Sequence, residues 1–143
     1  MNLGVKIQSL FFDREAVTAK VAPAIRTVLA KFGAFVRRTA KGSLRTRRRS
    51  APPGSPPSSH TGLLKKFLLF GYDPDRRSVV IGPARLDRRG LGEAPSLLEY
   101  GGSATLERRG RRMRTTYAAR PYMRPAFEKE QPKLPAMWRD SVR

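Results

Sequence analysis

The sequence predicts an α+β domain: an antiparallel sheet of four or five strands, a long helix packed across it, and a shorter C-terminal helix. Three observations carry this. Ile25, Val28, Leu29, Phe32, Phe35 and Val36 recur at the i, i+3, i+4, i+7 spacing of one buried helical stripe. Two apolar runs flank Tyr72-Asp73-Pro74-Asp75-Arg76, a turn sequence in which Pro74 presets φ. A second pair of strand-like runs flanks Arg109-Gly110-Arg111.

The elements follow in order. Leu3, Val5 and Ile7 alternate with Gly4, Lys6 and Gln8, which predicts a short strand over 3–10. Asp13 stands at an N-cap position with Glu15 in the first turn, so a helix is expected over 14–21. Pro23 disfavours helical geometry at Ala22 and is expected to break or kink the chain there. A second helix follows over 24–41, with Arg26, Lys31, Arg37, Arg38 and Lys41 off its apolar stripe and Gly42 as its stop. Strands are expected over 66–72 and 78–81, paired as a hairpin, and Gly82-Pro83 ends the second. Residues 84–94 read as a polar loop. Pro95 suits the first turn of a short helix that Gly101-Gly102 terminates. Strands over 103–108 and 112–118 form the second hairpin. On its return strand Met113, Thr115 and Tyr117 share one face and Arg112, Arg114 and Thr116 the other, which predicts a half-buried strand presenting a basic side. Pro125 opens the last helix. Pro132 and Pro135 interrupt it, leaving Met137 and Trp138 in a terminal turn, as core or as an anchor for a neighbour.

The chain has 143 residues, which fits one domain over 1–143. Leu, Ile, Val and Phe supply 32 of them, just above the roughly 20% below which high charge means disorder, so the core is thin. Residues 42–62 read as an extended basic loop. It holds four prolines, three glycines, five serines and four arginines, with Leu44 as its one large apolar residue. Such a segment cannot bury a core of its own and is expected to be extended and mobile. It is either a plain linker or a segment ordered by a partner.

Charge is the other dominant property. Thirty Lys and Arg against eleven Asp and Glu give a net charge of +19, and 22 of the basic residues are Arg. No acidic residue occurs between Glu15 and Asp73, where twelve basic residues do. Two clusters stand out: Arg45, Arg47, Arg48 and Arg49 in the loop, and Arg108, Arg109, Arg111, Arg112 and Arg114 around the second hairpin. Guanidinium forks match phosphate or carboxylate oxygens, so these clusters are expected to face nucleic acid or an acidic protein surface.

Enzyme chemistry finds no support. The chain has no Cys, which removes disulfides, thiolate nucleophiles and Cys-based metal sites, and its one His removes His clusters. Neither GxxxxGK[ST] nor GxGxxG occurs. Ser59, His60 and Thr61 are adjacent, but adjacency in a Pro/Ser loop does not make a triad. No catalytic residue, metal or cofactor is expected. No apolar run is long enough to cross a membrane, and Asp13, Arg14 and Glu15 break any signal-peptide pattern.

Several segments in succession carry a resemblance. A helix ending in basic residues leads to Ala51-Pro52 and then to His60-Thr61-Gly62-Leu63-Leu64-Lys65. A hairpin ending in Val79-Val80-Ile81-Gly82-Pro83 follows, then Leu98-Glu99-Tyr100-Gly101-Gly102, then Ala119-Arg120-Pro121-Tyr122-Met123-Arg124-Pro125-Ala126-Phe127-Glu128. This succession, over about residues 14–130, resembles the tail-completion (neck, head–tail joining) family of long-tailed bacteriophages. Gly102 departs from the Thr frequent there, and the Pro/Ser loop is longer than usual. The resemblance implies a structural virion protein that forms a ring, commonly six-fold, at the head–tail junction. It would contact adjoining neck, tail-terminator or tail-tube proteins and, without sequence preference, packaged double-stranded DNA. Thr61, Gly62, Leu63, Glu99, Tyr100, Gly101, Pro121, Tyr122, Arg124 and Pro125 would be its motif and interface residues. It would reside in the virion, and in host cytoplasm during assembly. Composition alone also fits a cellular, sequence-independent nucleic-acid-binding protein.

Overall fold

The computed structural model describes residues 13–84, 94–108, 110–139 and 141. The strand expected over 3–10, most of the loop over 84–94, and Arg109 lie outside them.

The two helices expected over 14–21 and 24–41 are one helix, α1 (Arg14–Ser43). The Asp13 carboxylate accepts the Ala16 N–H at 2.9 Å and starts it. Pro23 sits inside α1 without ending it. Proline removes one intrahelical hydrogen bond, but here the affected turn is exposed, so the freed carbonyl of Ala19 stays hydrated. Burial begins just past it. Ala24, Val28, Phe32, Val36 and Ala40 fall every fourth residue on the buried face. The expected Ile25, Leu29 and Phe35 are only half-buried, at the flanks of that stripe. Gly42 does not stop the helix; it lies within it, and Leu44 turns extended (φ −77°, ψ 104°) as the C-cap.

A short helix α2 (Leu63–Lys66) leads into strands β1 (Leu68–Asp73) and β2 (Ser78–Pro83). These pair antiparallel with Phe70 opposite Ile81 and Tyr72 opposite Val79. Asp73 Oδ1 accepts the N–H groups of Asp75 and Arg76 and fixes the turn. Helix α3 (Ala94–Tyr100) precedes strands β3 (Gly102–Arg108) and β4 (Arg111–Tyr117), which pair with Leu106 opposite Met113. Helix α4 (Met123–Glu130), a 3-10 turn (Gln131–Lys133) and helix α5 (Leu134–Trp138) finish the described chain. Pro132 and Pro135 sit in the opening turns of these last two elements, where no intrahelical N–H is lost.

The α+β class holds, but the strands do not join into one sheet of four or five: β1–β2 and β3–β4 are separate two-stranded sheets. The reason lies in their side chains. The β1–β2 pair offers Leu68, Phe70, Tyr72, Val79 and Ile81 on one face and packs on α1. Gly33 of α1 lets them approach, since a Cβ there would lie 2.7 Å from Val79 Cγ2 and 2.9 Å from Phe70 Cδ2. The β3–β4 pair has only Leu106 and Met113 as large apolar residues besides Tyr117, too few to cover a helix.

The core forms where the second half of α1 meets β1–β2 and α4. Phe32, Val36, Ala40, Leu44, Leu68, Tyr122 and Ala126 are its buried members, with Leu64, Val79, Ile81, Leu98, Met123, Leu134 and Met137 against them. Phe127 meets Phe32 edge-on, with centroids 5.7 Å apart. Leu44 corrects the expectation for 42–62, because it is fully buried in the core. The segment after it is also tied down. Ser59 N–H donates to the Arg45 carbonyl at 3.0 Å, Gly54 N–H to that of Ala119 at 2.8 Å, and Arg120 Nε to that of Ala51 at 2.8 Å.

Candidate functional site

Part of the motif set is drawn together by Glu99. It closes α3, is buried, and faces the start of α4. The first N–H groups of a helix have no intrahelical acceptor, and Tyr122, the N-cap of α4, caps nothing with its own side chain. Glu99 supplies the acceptors. Oε2 takes the N–H groups of Tyr122 (2.9 Å) and Met123 (3.0 Å), and Oε1 takes that of Arg124 (2.8 Å). These bonds are charge-assisted and complement the helix dipole. Burial first, and the Glu99 charge second, push the fully buried Tyr122 phenol up to about 12.

One backbone bond closes α3 and another ties it to the segment before α4. Gly101 N–H donates to Leu97 O at 2.9 Å, and Arg120 N–H to Leu98 O at 2.6 Å. Gly101 has φ +74°, and a Cβ there would lie 3.0 Å from both Ala119 N and Tyr117 O, so only glycine fits. Pro121 is half-buried, and Pro125 is exposed in the first turn of α4, where proline costs no hydrogen bond. Arg124 turns outward to Glu128 at 3.2 Å. Tyr100 is 78% exposed, so it takes no part in this packing.

Thr61, Gly62 and Leu63 form a separate feature. Gly62 is the left-handed N-cap of α2 (φ 74°), Thr61 Oγ1 accepts the Leu63 N–H at 3.4 Å, and Leu63 is exposed. His60 is exposed beside them.

Beyond Glu99 a groove of about 550 Å³ opens between β2, α3 and α4, lined by Val79, Ile81, Tyr100, Met123, Arg124 and Phe127 among others. Its wall is mixed, and the Glu99 oxygens are committed to α4. Among the described residues no three His, Cys, Asp or Glu side chains gather as metal ligands. No helix among them is long and apolar enough to cross a membrane.

The basic clusters occupy two places. Arg45, Arg47, Arg48 and Arg49 are exposed after the C-terminal end of α1. Arg111, Arg112 and Arg114 are exposed on β4, where Arg114 faces Thr105, Arg112 faces Glu107 and Arg111 faces Arg108. The β3–β4 hairpin is not the half-buried strand pair expected. It projects as an arm roughly 20 Å long at ~3.4 Å per residue, and among the described residues only α3 packs substantially on it, at its base. One face carries Ala104, Leu106, Met113 and Thr115, with Arg111 on the same face at the tip, and the other carries Thr105, Glu107, Arg112 and Arg114. Leu106 is 40% exposed and Met113 58%.

Two functional elements escape sequence reading. Arg120 joins the Pro/Ser loop to the base of the arm, though it reads as one more arginine. Glu130, buried, accepts from Thr39 at 2.7 Å and Lys133 at 2.6 Å and locks α4 onto α1. The Lys133 bond, then the Thr39 bond, hold its carboxyl below the usual range. A Glu three residues before a Lys is a signal for half of that network only.

Comparison of the chain with protein-family models, curated proteins and solved structures finds no match.

Proposed function

We propose that this chain is a structural subunit of a phage neck, forming a ring at the head–tail junction that completes the tail and joins it to the head. The observation that carries the reading is the β3–β4 arm. It is amphipathic, pairs with no third strand among the described residues, and is bare over Leu106 and Met113. An arm of that kind adds little to a monomer, and unpaired edges with an apolar face are the means by which strands join other chains. A thin core gains stability from neighbours by mass action. The motif succession supports the same reading. Glu99, Gly101, Pro121, Tyr122 and Arg124 work as scaffold, clamping α3 to α4, so the motif serves architecture rather than chemistry. The ring would sit in the virion, against neck, tail-terminator or tail-tube proteins, with its arginines turned to packaged DNA or acidic partner surfaces.

Deleting the gene and examining lysates by electron microscopy tests this. Separate heads and tails are expected; normal yields of joined, infectious particles would refute it.

A second reading, a cellular sequence-independent nucleic-acid-binding protein, draws on one observation. The side chains of Arg45, Arg47, Arg48 and Arg49 are exposed and form no ion pair among the described residues. Under this reading the purified chain stays monomeric and binds duplex DNA tightly with a steep salt dependence. Under the neck reading it assembles with itself or with tail proteins.

A further inference from the structure

The pocket between the end of α1 and the Pro/Ser loop has the makings of an anion site. It measures about 280 Å³ and is lined by Gly42, Ser43, Arg45, Arg47, Ser55, Pro56, Pro57 and Ser58. No carboxylate is among these residues.

Three features make it more than a basic patch. First, its walls are fixed. Leu44 and Ala51 are buried, Arg45 and Ser58 form a backbone bridge, and Ser55 is held by Pro52 through both N–H (3.3 Å) and Oγ (2.7 Å). Second, the chain leaves α1 extended at Leu44 and bridges to Ser58 at Arg45, and Arg45 and Arg47 both line the one pocket while Leu44 turns into the core. Third, Ser58 Oγ is buried and has no hydrogen-bond partner, the one such side-chain atom among the described residues. A buried hydroxyl without a partner is costly, and an anion oxygen that reached it would remove that cost. The carbonyl end of α1 opposes an anion here, and Lys41 in its last turn offsets that end.

We propose that this pocket binds a phosphate group, and that the occupant is a backbone phosphodiester of duplex DNA held by Arg45, Arg47 and the Ser58 hydroxyl. Two guanidinium forks and a hydroxyl donor match the oxygens of a phosphate and read no base. The proposal deepens the DNA-facing part of the neck reading and rests on it only for the source of the DNA. It assigns the DNA contact to the loop cluster, leaving the arm for protein.

Anisotropy of a labelled duplex, titrated with the full chain over a range of salt, tests it. Three variants are compared with the unaltered chain: Ser58→Ala, the double Arg45→Gln/Arg47→Gln, and the arm triple Arg111→Gln/Arg112→Gln/Arg114→Gln. Ser58→Ala is expected to keep or raise the melting temperature, since it removes an unpartnered buried hydroxyl, and to weaken binding roughly tenfold, the worth of one hydrogen bond to a charged group. The double variant is expected to lower the slope of log K against log salt by about 2. Inorganic phosphate should compete with DNA on the unaltered chain beyond its ionic-strength effect, and should not on the double variant.

The proposal is overturned if the double variant binds DNA as the unaltered chain does, or if the arm triple alone removes binding. It is equally overturned if polyglutamate binding falls with the double variant as DNA binding does while Ser58→Ala alters neither, since the arginines would then serve a carboxylate face. A phosphate site confirmed in a chain whose gene deletion leaves particles intact would keep this inference and remove the neck reading.

Discussion

Glu99 and Tyr122, 23 residues apart, are joined by a hydrogen bond in which Oε2 accepts the Tyr122 backbone N–H at 2.9 Å. The same carboxylate holds two further N–H groups of α4, so one side chain takes the place of a local helix cap.

Removing it should therefore be costly. Glu99→Ala strands three N–H groups at a helix start that is buried at Tyr122 and part-buried at Met123 and Arg124, and a loss of about 3 kcal/mol is expected, a fully buried orphan costing ~1–3. Glu99→Gln keeps the size but loses the charge and turns one acceptor into a donor, so about 2 kcal/mol is expected. Urea unfolding measures both. A loss below about 0.5 kcal/mol in either variant would show that the cap is dispensable.

Two glycines of α1 should respond in opposite directions. Gly33→Ala places a Cβ against Val79 and Phe70, and overpacking of this kind costs about 1–3 kcal/mol, more than the helix gains. Gly42→Ala meets nothing within 4 Å and should stabilise by up to about 1 kcal/mol. Thermal melts of the two variants should shift downward and upward respectively.

Acid stability should depend on Glu130. Its carboxyl is held below the unfolded value of 4.5 by Lys133 and Thr39, so the folded state favours the carboxylate. That contribution is complete above 4.5 and is lost as pH falls through the lowered folded value. The double variant Thr39→Val/Lys133→Met should be less stable at neutral pH and show a flatter decline from pH 5 downward, followed by circular dichroism.

At the alkaline end the sign reverses. The Tyr122 phenol is raised from 10.0 to about 12, so the folded state favours the neutral form. The stability this gives is full below pH 10 and is lost as pH rises through about 12. Absorbance at 295 nm should show one tyrosine titrating late, and Tyr122→Phe should remove that component.

The arm should govern association. Leu106→Ser/Met113→Ser alters side chains that are 40% and 58% exposed, so the monomer's unfolding free energy should change by less than about 1 kcal/mol. Sedimentation should show the assembled species lost. Unchanged assembly would place the subunit contact elsewhere.

The amount of this that was legible in the sequence varied with how local the cause was. The hairpin pairing Phe70 with Ile81 was readable, since alternation and the Asp73-Pro74 turn lie within a dozen residues. So was the α1 stripe through Val28, Phe32 and Val36. Pro23 misled because its effect depends on whether the turn before it is buried, and periodicity carries no such information. Leu44 misled because composition treats a Pro/Ser segment as a unit, whereas one leucine directly after a core helix enters that core. The separation of the two sheets follows from how much apolar surface Leu106 and Met113 present, a quantity that a strand pattern does not weigh. The motif residues were visible, though the fold sets Thr61, Gly62 and Leu63 apart and leaves Tyr100 out of the packing. The role of Glu99 was not, because capping across 23 residues requires the fold to bring the two helices together.

The ties from Arg120 to Ala51 and from Gly54 to Ala119 have a thermodynamic consequence for the arginines they support. A basic segment that folds only upon encountering its ligand surrenders chain entropy at that moment, and its association shows a large negative heat-capacity change. Here the ordering is completed during folding, before any ligand arrives. Capture should therefore approach the rate set by diffusion and charge attraction, and calorimetry should record a heat-capacity change close to that of rigid-body docking.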